Sequence, residues 1–238
     1  MQYSTFAAID IGSYDVILEI FEISKKQGIR SVDKICHRME LGKDTYTLGK
    51  IRPEMEEELC RVLADFVRIM EGYRVDDYRA TASSAISEAS NSLYVLGKIH
   101  QLTGLSVTVL SNSEQRFLSY KALAAMEDNF NKIIEKGTAI LDLDGGSFQI
   151  SLFDKDALVT TQNIRMGSLR IRERLAGIQS ETEHYEEMVE ELIWNEVSSF
   201  KKMYLKDRKI ENIMLIGDVF TDLSLIHISE PTRQAEIS

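Results

Sequence analysis

Short apolar runs alternate with amphipathic segments along this chain of 238 residues, which is typical of an α/β sheet with helical crossovers. Apolar and β-branched runs predict strands at residues 5–11, 16–24, 29–41, 73–81, 105–110, 138–143, 148–153, 157–166 and 212–216. Apolar residues at helical spacing predict helices that begin at Pro53 and at Ser111 or Ser113, a short helix from Gly167, and helices at residues 83–103 and 183–204.

One local plan occurs twice in this pattern. Asp10 and Asp142 each end an apolar strand, a tight Gly-Ser turn follows, and a second strand returns. Such a turn directs backbone N–H groups at one point, and the Asp beside it can hold a hydrated cation. The repeat therefore predicts two half-domains that close on a phosphorylated ligand with magnesium.

The repeat also predicts the domain organisation. We assign residues 1–128 to a first lobe and residues 129–222 to a second, shortened lobe, with a polar boundary at residues 129–137. Residues 223–238 have no periodicity and do not continue the lobe. We interpret them as a foreign tail and leave them out of the fold prediction.

Composition narrows the function classes. The net charge of −10 excludes a broad basic surface for nucleic acid. No apolar run approaches the ~20 residues that a membrane helix needs, and no signal peptide is recognised, so we expect a soluble cytoplasmic protein.

Cys36 and Cys60 belong to no metal-binding pattern, and we expect both to be buried, reduced thiols. The sequence does not set the oligomeric state, and a homodimer stays an open alternative.

Five motifs, in order, then indicate a family. They are Asp-x-Gly-Ser at residue 10, Thr-Ala-Ser-Ser-Ala at 81, Leu-Ser-x-x-Glu at 110, Asp-x-x-Gly-Gly-Ser at 142 and Met-Gly-Ser-x-Arg at 166. Together they resemble the exopolyphosphatase/guanosine pentaphosphate phosphohydrolase (Ppx/GppA) family of the actin, sugar-kinase and Hsp70 superfamily. The resemblance implies two ribonuclease H-like, actin-like ATPase lobes with a phosphate-binding cleft between them.

The resemblance also implies an activity and roles for particular residues. The expected activity is removal of the terminal phosphate from polyphosphate or from guanosine penta- or tetraphosphate, with Mg²⁺ as cofactor. Asp10 and Asp142 would assist the metal, and Glu114 would be the general base for the attacking water. Phosphate would be bound by Gly12, Ser13, Tyr14, Gly145, Gly146, Ser147 and Arg170.

Departures from the family pattern keep a second hypothesis open. Arginines of the family are replaced by Ile17 and Ile86, and the first of three loop glycines is Asp144. The amides Asn112, Gln115 and Gln149 stand where the family has a glycine and two carboxylates, and the late Gly-Gly near residue 217 is missing. These changes favour a homologue that binds polyphosphate or alarmone without turnover.

Glu114 and Arg170 also have plain structural alternatives, namely a helix capping box and an ordinary surface arginine. An actin-like or sugar-kinase-like ATPase is the third hypothesis, and the missing Gly-Gly opposes it.

Overall fold

The computed structural model describes residues 3–126, 129–176, 184–206 and 208–217. The predicted tail at residues 223–238 lies outside the described residues. Two β-sheets organise the described chain, one in each predicted lobe. Within the described residues, no helix combines the length and apolar character that crossing a membrane requires.

The first sheet has five strands in the order β3-β2-β1-β4-β5. β1 pairs antiparallel with β2, and parallel with β4. Its strands and the helices around them are β1 (Ser4–Ile11), β2 (Asp15–Ser24), β3 (Gly28–Arg38), α1 (Leu41–Leu48), α2 (Pro53–Gly72), β4 (Asp77–Ala82), α3 (Ser84–Ser87), α4 (Ser92–Thr103), β5 (Val107–Val109) and α5 (Asn112–Met126).

The second sheet repeats the plan with four strands in the order β8-β7-β6-β9. β6 pairs antiparallel with β7, and parallel with β9, as β1 does with its neighbours. The elements are α6 (Phe130–Glu135), β6 (Thr138–Leu143), β7 (Phe148–Asp154), β8 (Ala157–Ile164), α7 (Ser168–Leu175), α8 (Tyr185–Tyr204) and β9 (Asn212–Ile216). The duplicated unit predicted from the sequence is therefore present in both sheets.

Each lobe has its own apolar core. In the first lobe, Leu59, Leu63 and Phe66 of α2 are buried in one cluster with residues of β1, and Pro53 occupies the first helical turn as predicted. In the second, Phe200 of α8 is buried with residues of β7. α5, which precedes the predicted boundary, contacts the second sheet through Tyr120, whose hydroxyl donates to Ser151 Oγ at 2.5 Å.

Several local predictions were wrong. The strand expected to run to residue 41 ends at Arg38, and the helix α1 follows, which was not predicted. The helix α6, within the polar boundary at residues 129–137, was not predicted, and its Phe130 and Ile134 are buried in a small core, while the boundary itself stays a prediction. Cys36 is exposed on the edge strand β3, because alternate residues of this strand face solvent, whereas Cys60 is buried.

Candidate functional site

The first predicted phosphate loop joins β1 to β2 at residues 12–14. The N–H of Gly12 donates to the carbonyl of Asp15 at 2.9 Å and closes the turn. A Cβ at Gly12 would lie 2.9 Å from that same oxygen, so the tight turn requires glycine. The Gly12 amide is thus engaged inside the loop rather than directed at a ligand. The carbonyl of Ser13 accepts the N–H of Gly42, which fixes the loop on the start of α1.

The second predicted loop joins β6 to β7 and is held by its own aspartate. Asp144 Oδ1 accepts the N–H groups of Gly146 at 2.6 Å and Ser147 at 2.7 Å. The N–H of Asp144 donates to the carbonyl of Ser147 at 3.1 Å, which completes the turn. Two amides that the sequence assigned to phosphate therefore bind a carboxylate in this structure.

The two loops meet at one polar cavity of about 290 Å³ between the sheets. A Cβ at Gly145 would lie 3.2 Å from Cβ of Ser13, which shows how closely the loops approach. The lining residues are Asp10, Gly12, Ser13, Tyr14, Ser83, Gln115, Ser119, Asp142, Leu143, Asp144, Gly145, Ile216 and Gly217. Three of these described lining residues are carboxylates, and none is Lys or Arg.

Asp10 and Asp142 fit a magnesium ion as a carboxylate pair. Both line the cavity, and Asp142 Oδ2 accepts the hydroxyl of Ser119 at 3.2 Å, which orients the carboxylate. Among the described residues, no cluster of three or more His, Cys, Asp and Glu side chains is placed to hold a metal. Mg²⁺ commonly binds through one or two carboxylates while water and phosphate oxygens complete its octahedron, and this donor set suits that mode.

Glu114 forms the capping box of α5. Its Oε2 accepts the backbone N–H of Ser111 at 2.9 Å and the Ser111 hydroxyl at 2.7 Å. These two hydrogen bonds, together with the charge of Arg79, hold the pKa of Glu114 below its ordinary value. The carboxylate is exposed and is not part of the cavity lining. The structural alternative is therefore realised, and the catalytic role of Glu114 stays a prediction.

Arg170 joins the two lobes instead of facing the cavity. Its Nη2 donates to both carboxylate oxygens of Glu88 at 3.0 and 3.1 Å, and its Nε donates to the carbonyl of Gly146 at 2.9 Å. Its guanidinium lies 3.8 Å from the ring centroid of Tyr46. Arg170 is thus neither an ordinary surface arginine nor, in this arrangement, in contact with the described cavity.

Tyr46 of α1 is a site residue that the sequence analysis missed. Its hydroxyl hydrogen-bonds with Ser13 Oγ at 2.6 Å and with Ser84 Oγ at 2.8 Å, so it ties the first loop to α3. Burial raises the pKa of Tyr46, and the two serine hydrogen bonds partly offset that rise. A Cβ at Gly146 would overlap this hydroxyl. The sequence signal for α1, the helix that carries Tyr46, was Gly49, because glycine commonly ends a helix in the left-handed conformation, as Gly49 does here.

A second ion pair crosses between the lobes beside the first. Arg172 of α7 binds Glu40 through Nη1 at 3.1 Å and Nη2 at 2.6 Å. This pairing lowers the pKa of Glu40 and raises that of Arg172. α1 and α7 also contact each other directly. Among the described residues, two arginine–glutamate pairs therefore join the lobes, and the sequence predicted neither of them.

Two of the substituted positions are buried. Ile86, where the family has an arginine, is fully buried in the core of the first lobe. Gln149 is also buried, opposite Asp142 on the neighbouring strand. Ser147 faces a narrow space beside Gln149 and Asn163 rather than the main cavity. Of the predicted site residues, the cavity brings together Asp10, Gly12, Ser13, Tyr14, Asp142 and Gly145, and its lining does not include Gly146, Ser147, Arg170 or Glu114.

Comparison with known proteins finds curated relatives of this chain. A curated bifunctional 3-dehydroquinate synthase/phosphatase of Fusobacterium nucleatum is 22% identical over 237 residues, covering 94% of this chain and 34% of that protein. The exopolyphosphatase 1 of Mycobacterium leprae is 25% identical over 144 residues, covering 60% of this chain and 41% of that protein. The chain thus spans about a third to two fifths of the length of these relatives.

The solved structures give the fold. The crystal structure of the Aquifex aeolicus Ppx/GppA family member aligns with 98% of this chain and 72% of its own, with a TM-score of 0.69 and 23% identity. The two sheets and their cleft are accordingly an α/β arrangement of two actin-like lobes. The sequence profile of the Ppx/GppA phosphatase family matches residues 19–236, nearly the whole chain, and on this evidence the chain belongs to the Ppx/GppA phosphatase family.

Proposed function

We propose that this protein is a magnesium-dependent phosphoanhydride hydrolase that removes the terminal phosphate of inorganic polyphosphate. One observation carries the proposal: Asp10 and Asp142 end the two copies of a repeated strand–turn–strand unit and line the same small polar cavity. Membership of a phosphatase family supports the reaction class. Guanosine pentaphosphate, which presents the same terminal anhydride, is the alternative substrate of the same site.

The charge of the cavity supports the requirement for metal. A phosphate chain entering a space lined by three carboxylates meets like charge, and the described lining has no Lys or Arg to offset it. When bound between Asp10 and Asp142, Mg²⁺ would neutralise charge on the phosphoryl oxygens. Ser119 would keep the Asp142 carboxylate oriented toward that position, through the hydrogen bond it already donates.

Glu114 is the candidate general base, and its hydrogen bonds in the helix cap bear on that role. Its lowered pKa keeps the side chain ionised at neutral pH, which is the form a base needs. The same hydrogen bonds to Ser111 weaken its basicity and hold Oε2 in the helix cap. To accept a proton, Glu114 must turn away from Ser111 or act through a water molecule.

Substitutions at the cap separate these roles. Glu114→Gln keeps a capping box, because glutamine serves at this position, but it cannot accept a proton at neutral pH. Ser111→Ala removes the serine hydroxyl from the cap and keeps the carboxylate. We would measure orthophosphate release from polyphosphate and from guanosine pentaphosphate with Mg²⁺ for both variants, for Asp142→Asn and for the wild type.

A general base predicts that Glu114→Gln lowers turnover by at least about 100-fold with an unchanged melting temperature, while Ser111→Ala lowers stability more than turnover. Asp142→Asn should raise the Mg²⁺ concentration needed for activity. The substrate from which the wild type releases orthophosphate faster identifies the natural substrate class. Wild-type turnover that survives Glu114→Gln would remove Glu114 from the mechanism, and no release from either substrate would refute the hydrolase.

A binding protein without turnover is the second candidate, and two observations favour it. Asp144 occupies two loop amides, and the family arginine at position 86 is replaced by a buried isoleucine. This candidate predicts Mg²⁺-dependent binding of tripolyphosphate with no orthophosphate release. Calorimetry together with the release assay distinguishes it from the hydrolase.

A further inference from the structure

Asp144 lies where the second loop should receive an anion. Its carboxylate accepts two adjacent backbone N–H groups, from Gly146 at 2.6 Å and Ser147 at 2.7 Å. Consecutive amides that point at one position form a nest, which is the backbone device that proteins use to bind phosphate. Short contacts of this kind to an ionised oxygen are the stronger class of hydrogen bond. The nest is therefore formed, and an internal anion occupies it.

The surrounding structure keeps this loop in place. The carbonyl of Asp144 accepts the N–H of Ser168, and the carbonyl of Gly145 accepts the N–H groups of Leu169 and Arg170. The start of α7 is thus bound to the back of the loop. A Cβ at Gly167 would overlap backbone atoms of residues 144, 145 and 147, so the packing is tight. The loop backbone is fixed by these contacts, so a ligand that takes the two amides has to displace the Asp144 side chain rather than move the loop.

Asp144 also faces the cavity that would admit the ligand. It lines the same space as Asp10 and Asp142, and the narrower space beside Ser147. A phosphate oxygen that takes the N–H groups of Gly146 and Ser147 must replace Asp144 Oδ1, because both oxygens need the same two donors. A ligand held by this loop therefore competes with a carboxylate of the protein itself.

We propose that Asp144 is an intramolecular competitor for phosphate, which lowers the affinity of the second loop for every phosphate ligand. The inference rests on the proposed function, since it concerns the same cavity. The competition affects short and long ligands differently. Orthophosphate gains only the hydrogen bonds of the two amides that it takes from Asp144. A phosphate chain that also contacts the metal and the first loop gains further interactions and binds more tightly. Orthophosphate, the product, should accordingly leave the site readily.

The test measures binding of orthophosphate and of tripolyphosphate, with Mg²⁺ at low salt, by calorimetry. Asp144→Gly frees the nest and should tighten both ligands at least tenfold, which corresponds to about 1.4 kcal/mol. Asp144→Asn keeps an oxygen on the two amides but removes the charge, so it should keep the loop folded and tighten both ligands by a smaller factor. Asp156→Asn, which removes one exposed charge from the β7–β8 turn, is the matched control and should change neither affinity.

The two ligands distinguish competition from a general charge effect. Displacement of Asp144 is the same step for both, so Asp144→Gly should tighten orthophosphate and tripolyphosphate by factors that agree within about threefold. A general charge effect would instead increase the affinity for the more highly charged tripolyphosphate by the larger factor. It would also increase affinity in Asp156→Asn. That pattern would overturn the inference.

The remaining outcomes separate the inference from the function on which it rests. If the wild type binds tripolyphosphate and Asp144→Gly and Asp144→Asn bind no tighter, the competitor role is wrong and the proposed site stands. If only the Asp144 variants bind, the inference is supported. If neither the wild type nor any Asp144 variant binds, the opened nest has no anion affinity, and the inference and the proposed function both fail.

Discussion

The Arg170–Glu88 pair gives the sharpest test of how the lobes are joined. Their side chains are 20% and 27% exposed, and the hydrogen bonds are 3.0 and 3.1 Å long. Hydrogen bonds to charged groups contribute about 1.5–3 kcal/mol, and stacking of a guanidinium on an aromatic ring about 0.5–1 kcal/mol. Because the pair is partly solvated, we expect Arg170→Ala to lower the free energy of unfolding by about 2–4 kcal/mol.

A double-mutant cycle isolates the pair from the rest of the Arg170 contacts. Urea unfolding of Arg170→Ala, Glu88→Ala and the double variant should give a coupling energy of about 1–2 kcal/mol. Arg170→Lys should recover less than half of it, since lysine lacks the planar fork. Arg165→Ala, an exposed arginine just before α7, is the control and should stay within about 0.5 kcal/mol of wild type. A coupling energy within about 0.3 kcal/mol of zero would refute a stabilising role of the Arg170–Glu88 pair.

The same variants decide whether Arg170 is a phosphate ligand. If Arg170 must leave Glu88 to bind phosphate, Glu88→Ala releases it and tightens tripolyphosphate binding, while Arg170→Ala weakens binding. If Arg170 only joins the lobes and supports the Gly146 loop, both substitutions change affinity in the same direction. Opposite signs would therefore establish the role implied by the family resemblance.

Three further predictions follow from the contacts around the cleft. Gly146→Ala should destabilise the protein by at least about 2 kcal/mol, because its Cβ overlaps the Tyr46 hydroxyl, and urea unfolding should show part of that loss recovered in combination with Tyr46→Phe. Ile86→Arg, which restores a family arginine, should lower stability by at least about 3 kcal/mol, measured the same way, and should not restore anion binding, because the position is buried. Glu40 has a pKa lowered by Arg172, so its contribution is present above the pKa of the unfolded carboxyl and is lost as pH falls through the folded value. Urea unfolding between about pH 5 and pH 3 should therefore show less acid loss in Glu40→Gln than in wild type.

Local patterns predicted much of the fold. Thr138–Leu143 and Asn212–Ile216 have the predicted bounds, because apolar strand residues beside Gly are a signal contained in a few neighbouring positions. α1 was missed because the apolar alternation of β3 continues into Leu41, whereas the hydrogen bond from Gly42 to Ser13 at the helix start forms only in the folded chain. α6 was missed because it is only six residues long and lies in a polar stretch, and Phe130 and Ile134 are buried only in the folded chain, against α5 and the second sheet.

The sequence by itself determined the duplicated strand–turn–strand unit, the two lobes and the presence of Asp10 and Asp142 at matching strand ends, since each depends on residues close together in the chain. Only the tertiary structure decided what the side chains of the cleft contact. Arg170 binds Glu88, 82 residues away in sequence, and Tyr46 reaches Ser84 across 38 residues. Asp144 turns back on its own loop amides and Glu114 on its own helix cap. Choices among such partners depend on distances and burial in the folded chain, which composition and spacing do not contain.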